Sequence, residues 1–366
     1  MPPIERRLLA LTTVALLSAV AVPPPRTQAP ATFAATIAQL SEPGGYFDTN
    51  NLISNEKSYL HVIPALREAG LTGGVYLGVG PDQNFSYIAQ ARPSVAFIID
   101  VRRDNLLLHL LLKALFRLSA DRAQYVSSLF GRPAPEPAER WKDADIERIV
   151  SYVADAAASP AATAAIRARV DAVINGFGVP LSDGDRATID RFHRTFIERG
   201  PALRFESAGR PPRSYYPTYQ ELLLETDRVG RRWNYLVREA DFQFVKSLQE
   251  RDLVVPVTGD LAGRTAMPAI ARYLKERGLR LSVFYTSNVE YYLANAGAFE
   301  RFTANLAGFP RSGRTLIIRS VFPGRYGWTA AAPGYYSASV VQRVDDLLEG
   351  VATGRIRGYQ DLLDAR

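Results

Sequence analysis

Gly78, Gly80 and Asp100 are the residues whose types and spacing could organise chemistry. A short apolar run, Gly74-Val75-Tyr76-Leu77, turns through Gly78-Val79-Gly80-Pro81-Asp82. A helix-length segment follows from Asn84 to Ala91, and a second apolar run, Val95 to Ile99, ends on Asp100. Strand, glycine turn, helix, strand and acid are the parts of a βαβ unit. The first strand brings the chain to a tight turn at the carboxyl edge of a sheet. Glycine there lets the backbone approach a ligand, and the helix start offers free N–H groups. Asp100 follows Gly80 by about 20 positions, the separation at which an acid receives the hydroxyl pair of a ribose. The stretch reads as half of a nucleoside-binding site.

The spelling of the turn narrows the ligand. A dinucleotide fingerprint needs a third small residue, and Gln83 stands in that place. Pro81 removes one N–H that a pyrophosphate would use, and Asp82 opposes a diphosphate at a helix start. NAD and FAD are therefore disfavoured. S-adenosylmethionine is a nucleoside without phosphates, and its cationic sulfonium tolerates neighbouring carboxylates.

The stretch resembles motif I and the following acid of class I S-adenosylmethionine-dependent methyltransferases. More closely, the chain is similar to a poorly characterised bacterial family with a methyltransferase-like Rossmann fold. The likeness rests on Gly74-Val75-Tyr76-Leu77-Gly78-Val79-Gly80-Pro81, Phe97-Ile98-Ile99-Asp100-Val101-Arg102-Arg103, Thr258-Gly259-Asp260-Leu261-Ala262-Gly263 and Tyr285-Thr286-Ser287-Asn288-Val289-Glu290, and it spans roughly residues 40 to 325. It implies that Gly78, Gly80, Pro81, Asp82, Asp100, Val101, Arg102, Gly259 and Asp260 surround the cofactor. Asn288 and Tyr285 would orient the methyl acceptor, and transfer would rest mainly on positioning. Tyr46, Phe47 and Asn51 could line the same pocket. Two places depart from the pattern. Tyr76 stands where methyltransferases usually carry an acid, and Asn288 lacks the two prolines of an Asn/Asp-Pro-Pro-aromatic motif. A catalytically inactive, exported binding protein with the same crevice is the alternative to an enzyme.

The elements that must hold these residues alternate β with α. They imply an α/β fold, doubly wound around a mainly parallel sheet. The expected parts are a first Rossmann-like segment at 33–118, a helical insertion at 119–217 after the second strand, a second segment at 218–325 and a C-terminal extension at 326–366. A helix is expected from Glu56 to Ala69, kinked or broken at Pro64, and another, apolar nearly all round, from Asn105 to Leu118. His109 within it reads as a core histidine. The insertion carries three helical patterns, Trp141 to Ala158, Ala161 to Ile174 and Asp185 to Arg199. Insertions at sheet edges commonly build substrate lids. Its later arginines (Arg186, Arg191, Arg194, Arg199, Arg204, Arg210, Arg213) read as a solvated face more than as an anion-binding one. Further helices are expected at Tyr219–Thr226, Trp233–Glu250, Thr265–Arg277, Ser339–Gly350 and Tyr359–Ala365. Further strands are expected at Leu253–Thr258, Arg280–Tyr285 and Arg314–Val321.

Bulk properties exclude several classes. The 366 residues carry a formal charge of +7, with pI near 9.5, 47% hydrophobic and 22% charged residues. That is an ordinary globular composition, and the modest basic excess does not favour a nucleic-acid partner. Cysteine is absent and the three histidines, His61, His109 and His193, are far apart, so disulfides, thiolate chemistry and a metal site are disfavoured. Residues 1–22 read as a signal peptide or N-terminal anchor, with Glu5-Arg6-Arg7 before an apolar run from Leu8 to Val22 and a small-x-small site at Ala19-Val20-Ala21. The run is shorter than the ~20 residues a membrane span needs. A proline-rich linker follows at 23–32. Export to the periplasm or tethering to the membrane through this segment conflicts with a cytoplasmic cofactor; a mis-assigned start codon would make the protein cytoplasmic. The acceptor, a small molecule or a protein, is not legible.

Overall fold

Val75–Gly78 (β1) and Val95–Asp100 (β2) pair in parallel, with Val75 opposite Val95 and Gly78 opposite Ile98. Val254–Thr258 (β3) lies outside β2 with Thr258 opposite Asp100. Leu281–Ser287 (β4) lies on the other side of β1 with Tyr285 opposite Gly78. Arg311–Val321 (β5) runs parallel to β4, and Ala338–Arg343 (β6) returns antiparallel along β5. In this computed structural model, which describes residues 31–49, 51–207, 209–211, 213–322 and 331–364, the sheet order is β3-β2-β1-β4-β5-β6. It is the doubly wound, Rossmann-like order with the last strand reversed. Residues 1–22 and nearly all of 23–32, including the expected export segment, lie outside the described residues. Among the described residues no helix is long and apolar enough to cross a membrane.

The inner strands are apolar on both faces because both are covered. β1 and β3 are buried throughout, and β2 is buried up to Asp100. Such runs of Val, Ile and Phe fit a parallel sheet roofed by helices on each side.

The chain enters on α1 (Phe33–Leu40), which packs against β3. A 3₁₀ turn (Lys57–Val62) runs into α2 (Ile63–Glu68). Pro64 sits in the first turn of α2, where its missing N–H costs nothing, so the single expected helix is split there. α3 (Gln83–Ala91) joins β1 to β2, and α4 (Arg103–Leu118) follows β2. The insertion then gives α5 (Arg122–Leu129), α6 (Ile146–Asp155), α7 (Pro160–Asn175) and α8 (Asp183–Arg199). α7 and α8 pack on α4, which explains why that leucine-rich helix is apolar nearly all round. The insertion is a second helical layer, and α5 to α8 contribute no residue to the crevice described below. α9 (Tyr219–Leu223) and α10 (Glu239–Glu250) precede β3. The helix expected from Trp233 starts only at Glu239. Before it, Asn234 accepts the Leu236 N–H and donates to Tyr59, which holds that stretch in a turn.

α11 (Ala266–Glu276) joins β3 to β4, and α12 (Val289–Asn295) and α13 (Phe299–Ala307) lead to β5. α14 (Val344–Ala352) and α15 (Tyr359–Asp364) close the described chain. The helix expected over Ser339–Gly350 is a correction. Its first half is β6, because the β-branched Val340-Val341 pair beside the free edge of β5, and only the second half is α14.

Candidate functional site

Four successive strand ends meet around a cavity of about 350 Å³. β1 supplies Val79-Gly80-Pro81, β2 supplies Asp100-Val101-Arg102, β3 supplies Gly259-Asp260-Leu261 and β4 supplies Ser287-Asn288. Tyr46, Phe47 and Asn51 from the segment before β1 line it as well, as does Tyr292 of α12. This is the crevice outside the carboxyl ends of the strands at the switch point between β1 and β4, where ligands of open α/β sheets bind.

Gly80 has φ +84°, a conformation that L side chains rarely adopt, and its carbonyl lies 2.9 Å from Nε2 of His109 on α4. Burial pushes the His109 imidazole down to about 4, so it is neutral and donates from Nε2 to that carbonyl. Asn84 of α3 ties down the rest of the turn by donating to the carbonyls of Val79 and Pro81 at 2.9 and 2.7 Å.

Asp100 is not an open carboxylate. Arg102 donates to it from Nε at 3.1 Å and from Nη2 at 2.8 Å, and the Arg102 backbone N–H adds a bond of 2.9 Å. The third guanidinium donor, Nη1, reaches the Thr49 carbonyl at 2.6 Å. At the third strand end, Asp260 turns its carboxylate onto the Ala262 N–H at 2.9 Å. Glu42 accepts the Asp260 N–H at 2.7 Å and the Thr265 and Ala266 N–H groups at 3.2 Å, occupying the start of α11.

Below the fourth strand end lies a buried acid. Glu56 accepts from Tyr285 at 2.5 Å and from the Ser287 hydroxyl, and Gln83 donates to the Tyr285 hydroxyl at 3.2 Å. Burial raises the Glu56 carboxyl to about 7 against the opposing pull of those hydroxyls. Ser287 has φ +54°, a left-handed backbone unusual for serine. The following turn is pinned by a buried ion pair in which Arg319 Nε lies 2.6 Å from Glu290 Oε2.

Of the residues expected at the site, the structure brings together Gly80, Pro81, Asp100, Val101, Arg102, Gly259, Asp260 and Asn288. Gly78, Asp82 and Tyr285 are not among the lining residues. A Cβ on Gly78 would meet Asn84 Oδ1 at 2.0 Å and the Tyr76 ring at 2.7 Å, so this glycine makes room for the protein's own packing. Asp82 is buried, accepting from Tyr219 at 2.5 Å and Tyr235 at 3.3 Å, and burial raises its carboxyl to about 6. Tyr285 is fully buried and bonds to Glu56. Asn288 precedes α12 without a side-chain cap bond. Glu56, Ser287 and Glu42 were not singled out from sequence, because partners more than 200 positions away define them.

The two halves of the crevice match one family. A family model described as a domain of unknown function (DUF7790) matches residues 51–139 and 205–363, more than half of the 366-residue chain. The matched segments contain all four strand ends, and the gap between them holds α6, α7 and α8. No curated protein matches the chain. The chain belongs to the family described as a domain of unknown function (DUF7790).

Proposed function

We propose that the protein is an S-adenosylmethionine-dependent methyltransferase-like protein that transfers a methyl group to an acceptor beside Asn288. The observation that carries this reading is the convergence of four strand-end turns on one cavity whose donor set suits a nucleoside without phosphates. Asp100 and Asp260 line it, Pro81 has no N–H, and Glu42 fills the N–H groups at the start of α11. Gln83 lines the cavity with a buried Oε1 that has no partner among the described residues, an acceptor suited to an amino group.

When bound, S-adenosylmethionine would supply a methyl group on a cationic sulfur. Asp100 Oδ2 keeps a lone pair beyond its bond from Arg102 and can accept one hydroxyl. Asn288 offers an amide to orient the acceptor. Ser287 can take the proton the acceptor loses as its own passes to Glu56. With a carboxyl at about 7, Glu56 is poised as a base near neutral pH. Tyr285 holds Glu56 and does not meet the acceptor.

One observation favours binding without transfer. Tyr76, in place of the usual acid, is fully buried with its hydroxyl 2.7 Å from Asn84 Oδ1, and Asp100 and Asp260 are the only carboxylates among the described lining residues. Calorimetry with S-adenosylmethionine and S-adenosylhomocysteine tests the reading. Micromolar binding, weakened at least tenfold by Asp260→Ala and Asp100→Ala, is expected. A folded protein that gives no heat with either ligand sinks the methyl-transfer reading and leaves a Rossmann-like scaffold put to another use, and binding without turnover over a broad acceptor panel leaves the second.

A further inference from the structure

A second cavity, of about 380 Å³, adjoins the first and shares Asn55, Asn288 and Tyr292 with it. Its character is different. Tyr215 and Tyr336 stack at 3.7 Å between ring centroids and 17° between planes, and neighbouring rings meet edge to face, Tyr215 with Tyr216 at 4.9 Å and Tyr291 with Tyr292 at 5.2 Å. Tyr215, Tyr292 and Tyr336 remain 37%, 37% and 41% exposed. They are three of the five large hydrophobic side chains exposed among the described residues, the others being Tyr46 of the first cavity and Val229. Rings gathered at one mouth in this way mark a ligand site rather than scattered surface.

The charge at this mouth is one-sided. Among the described residues, Arg210 and Arg213 line the cavity and no acid does. Arg210 is paired with Asp48. Among the described residues Arg213 has no carboxylate partner. An aromatic box for a cation would exclude arginine, because the two charges repel. Aromatic walls with one uncompensated guanidinium suit a flat ring bearing an anion.

We infer that this cavity binds a planar aromatic acid, with the ring among Tyr215, Tyr292 and Tyr336 and the anionic group toward Arg213. The shared wall at Asn288 places such a ligand next to the first cavity, so it is the methyl acceptor; that role rests on the methyl-transfer reading, whereas the binding itself does not.

The test is calorimetry of the full chain with benzoate, 4-hydroxybenzoate and 1-naphthoate, each against its neutral amide and against cyclohexanecarboxylate, with and without S-adenosylhomocysteine. At least one aromatic acid is expected to bind ten times or more tighter than its amide and than the saturated acid. Arg213→Gln should remove the preference for the acid, and Tyr215→Leu should weaken every aromatic at least fivefold. Both positions are exposed, and circular dichroism confirms folding. Equal binding of acid and amide, indifference to Arg213→Gln, or no binding of any aromatic acid by the folded protein overturns the assignment. Aromatic acids that bind while S-adenosylhomocysteine does not would leave this site standing and remove the methyl-transfer reading. The reverse would remove this site alone.

Discussion

Arg102 grips Asp100 at two points, Nε on Oδ1 at 3.1 Å and Nη2 on Oδ2 at 2.8 Å, with side-chain exposures of only 7% and 10%. Removing either partner strands a nearly buried charge, which costs ~3 kcal/mol or more. Urea unfolding of Asp100→Ala, Arg102→Met and the double variant should give single losses of that order. The double variant should lose less than their sum by at least ~1 kcal/mol. Additive losses would show that the pair is not coupled. Ligand titration separates structure from binding, because Asp100→Ala should weaken S-adenosylhomocysteine more than Arg102→Met does.

Glu56 carries a pH signature. In the folded chain its carboxyl is raised by burial from 4.5 to about 7. Its contribution to stability is therefore full below pH 4.5 and is lost as the pH rises through 7. The span corresponds to ~3 kcal/mol. The stability difference between the wild type and Glu56→Gln should shift in favour of the variant between pH 4.5 and 8. A difference independent of pH would show that Glu56 ionises normally in the fold. Methyl transfer, where it is detected, should lose its rise near neutral pH in the same variant.

His109 works in the opposite direction. Burial lowers it to about 4 from 6.5, so its contribution is present above pH 6.5 and lost as the pH falls through 4. The advantage of the wild type over His109→Gln should shrink by ~3 kcal/mol across that window. Glutamine can still donate to the Gly80 carbonyl, so ligand binding at pH 7.5 should fall less than in His109→Ala, which leaves that carbonyl unpaired. Equal affinities in the two variants would separate His109 from the turn.

The buried pair of Arg319 and Glu290, 2% and 1% exposed, anchors the turn after β4 to β5. Arg319→Met should destabilise the protein by ~3–5 kcal/mol, and adding Glu290→Leu should recover most of that loss. Thermal unfolding of the two variants beside the wild type checks it. No recovery in the double variant would mean that the pair contributes more than the cost of stripping water from two charges.

The parts of the fold legible in sequence were those whose signal is local. Val75–Gly78, Val95–Asp100 and the glycine turn between them declare themselves through apolar runs bounded by turn residues, and Pro64 and Gly80 act where they stand. The order of strands and the antiparallel return of β6 do not, because Val340 and Val341 find their partners, Arg319 and Ile318, well back along the chain. Site residues divided in the same way. Gly80, Asp100 and Asp260 sit at strand ends and meet. Asp82 was read by its neighbours in the chain, yet Tyr219 and Tyr235, 137 and 153 positions away, decide which way it faces. Glu56 gave no local sign at all, since its environment comes from the end of β4.

Asp185 belongs both to the capping box that starts α8 and to a two-point ion pair with Arg103, next to the arginine that grips Asp100. Mechanically, the insertion is a strut. It braces the lip of the crevice from outside, and its helices α5 to α8 line neither cavity. Loosening the strut should change stiffness before it changes shape: Asp185→Ala should speed amide hydrogen exchange across 100–105 while leaving circular dichroism unaltered. The family match passes over residues 140–204, so this brace lies outside the matched segments while the lip it supports lies within them.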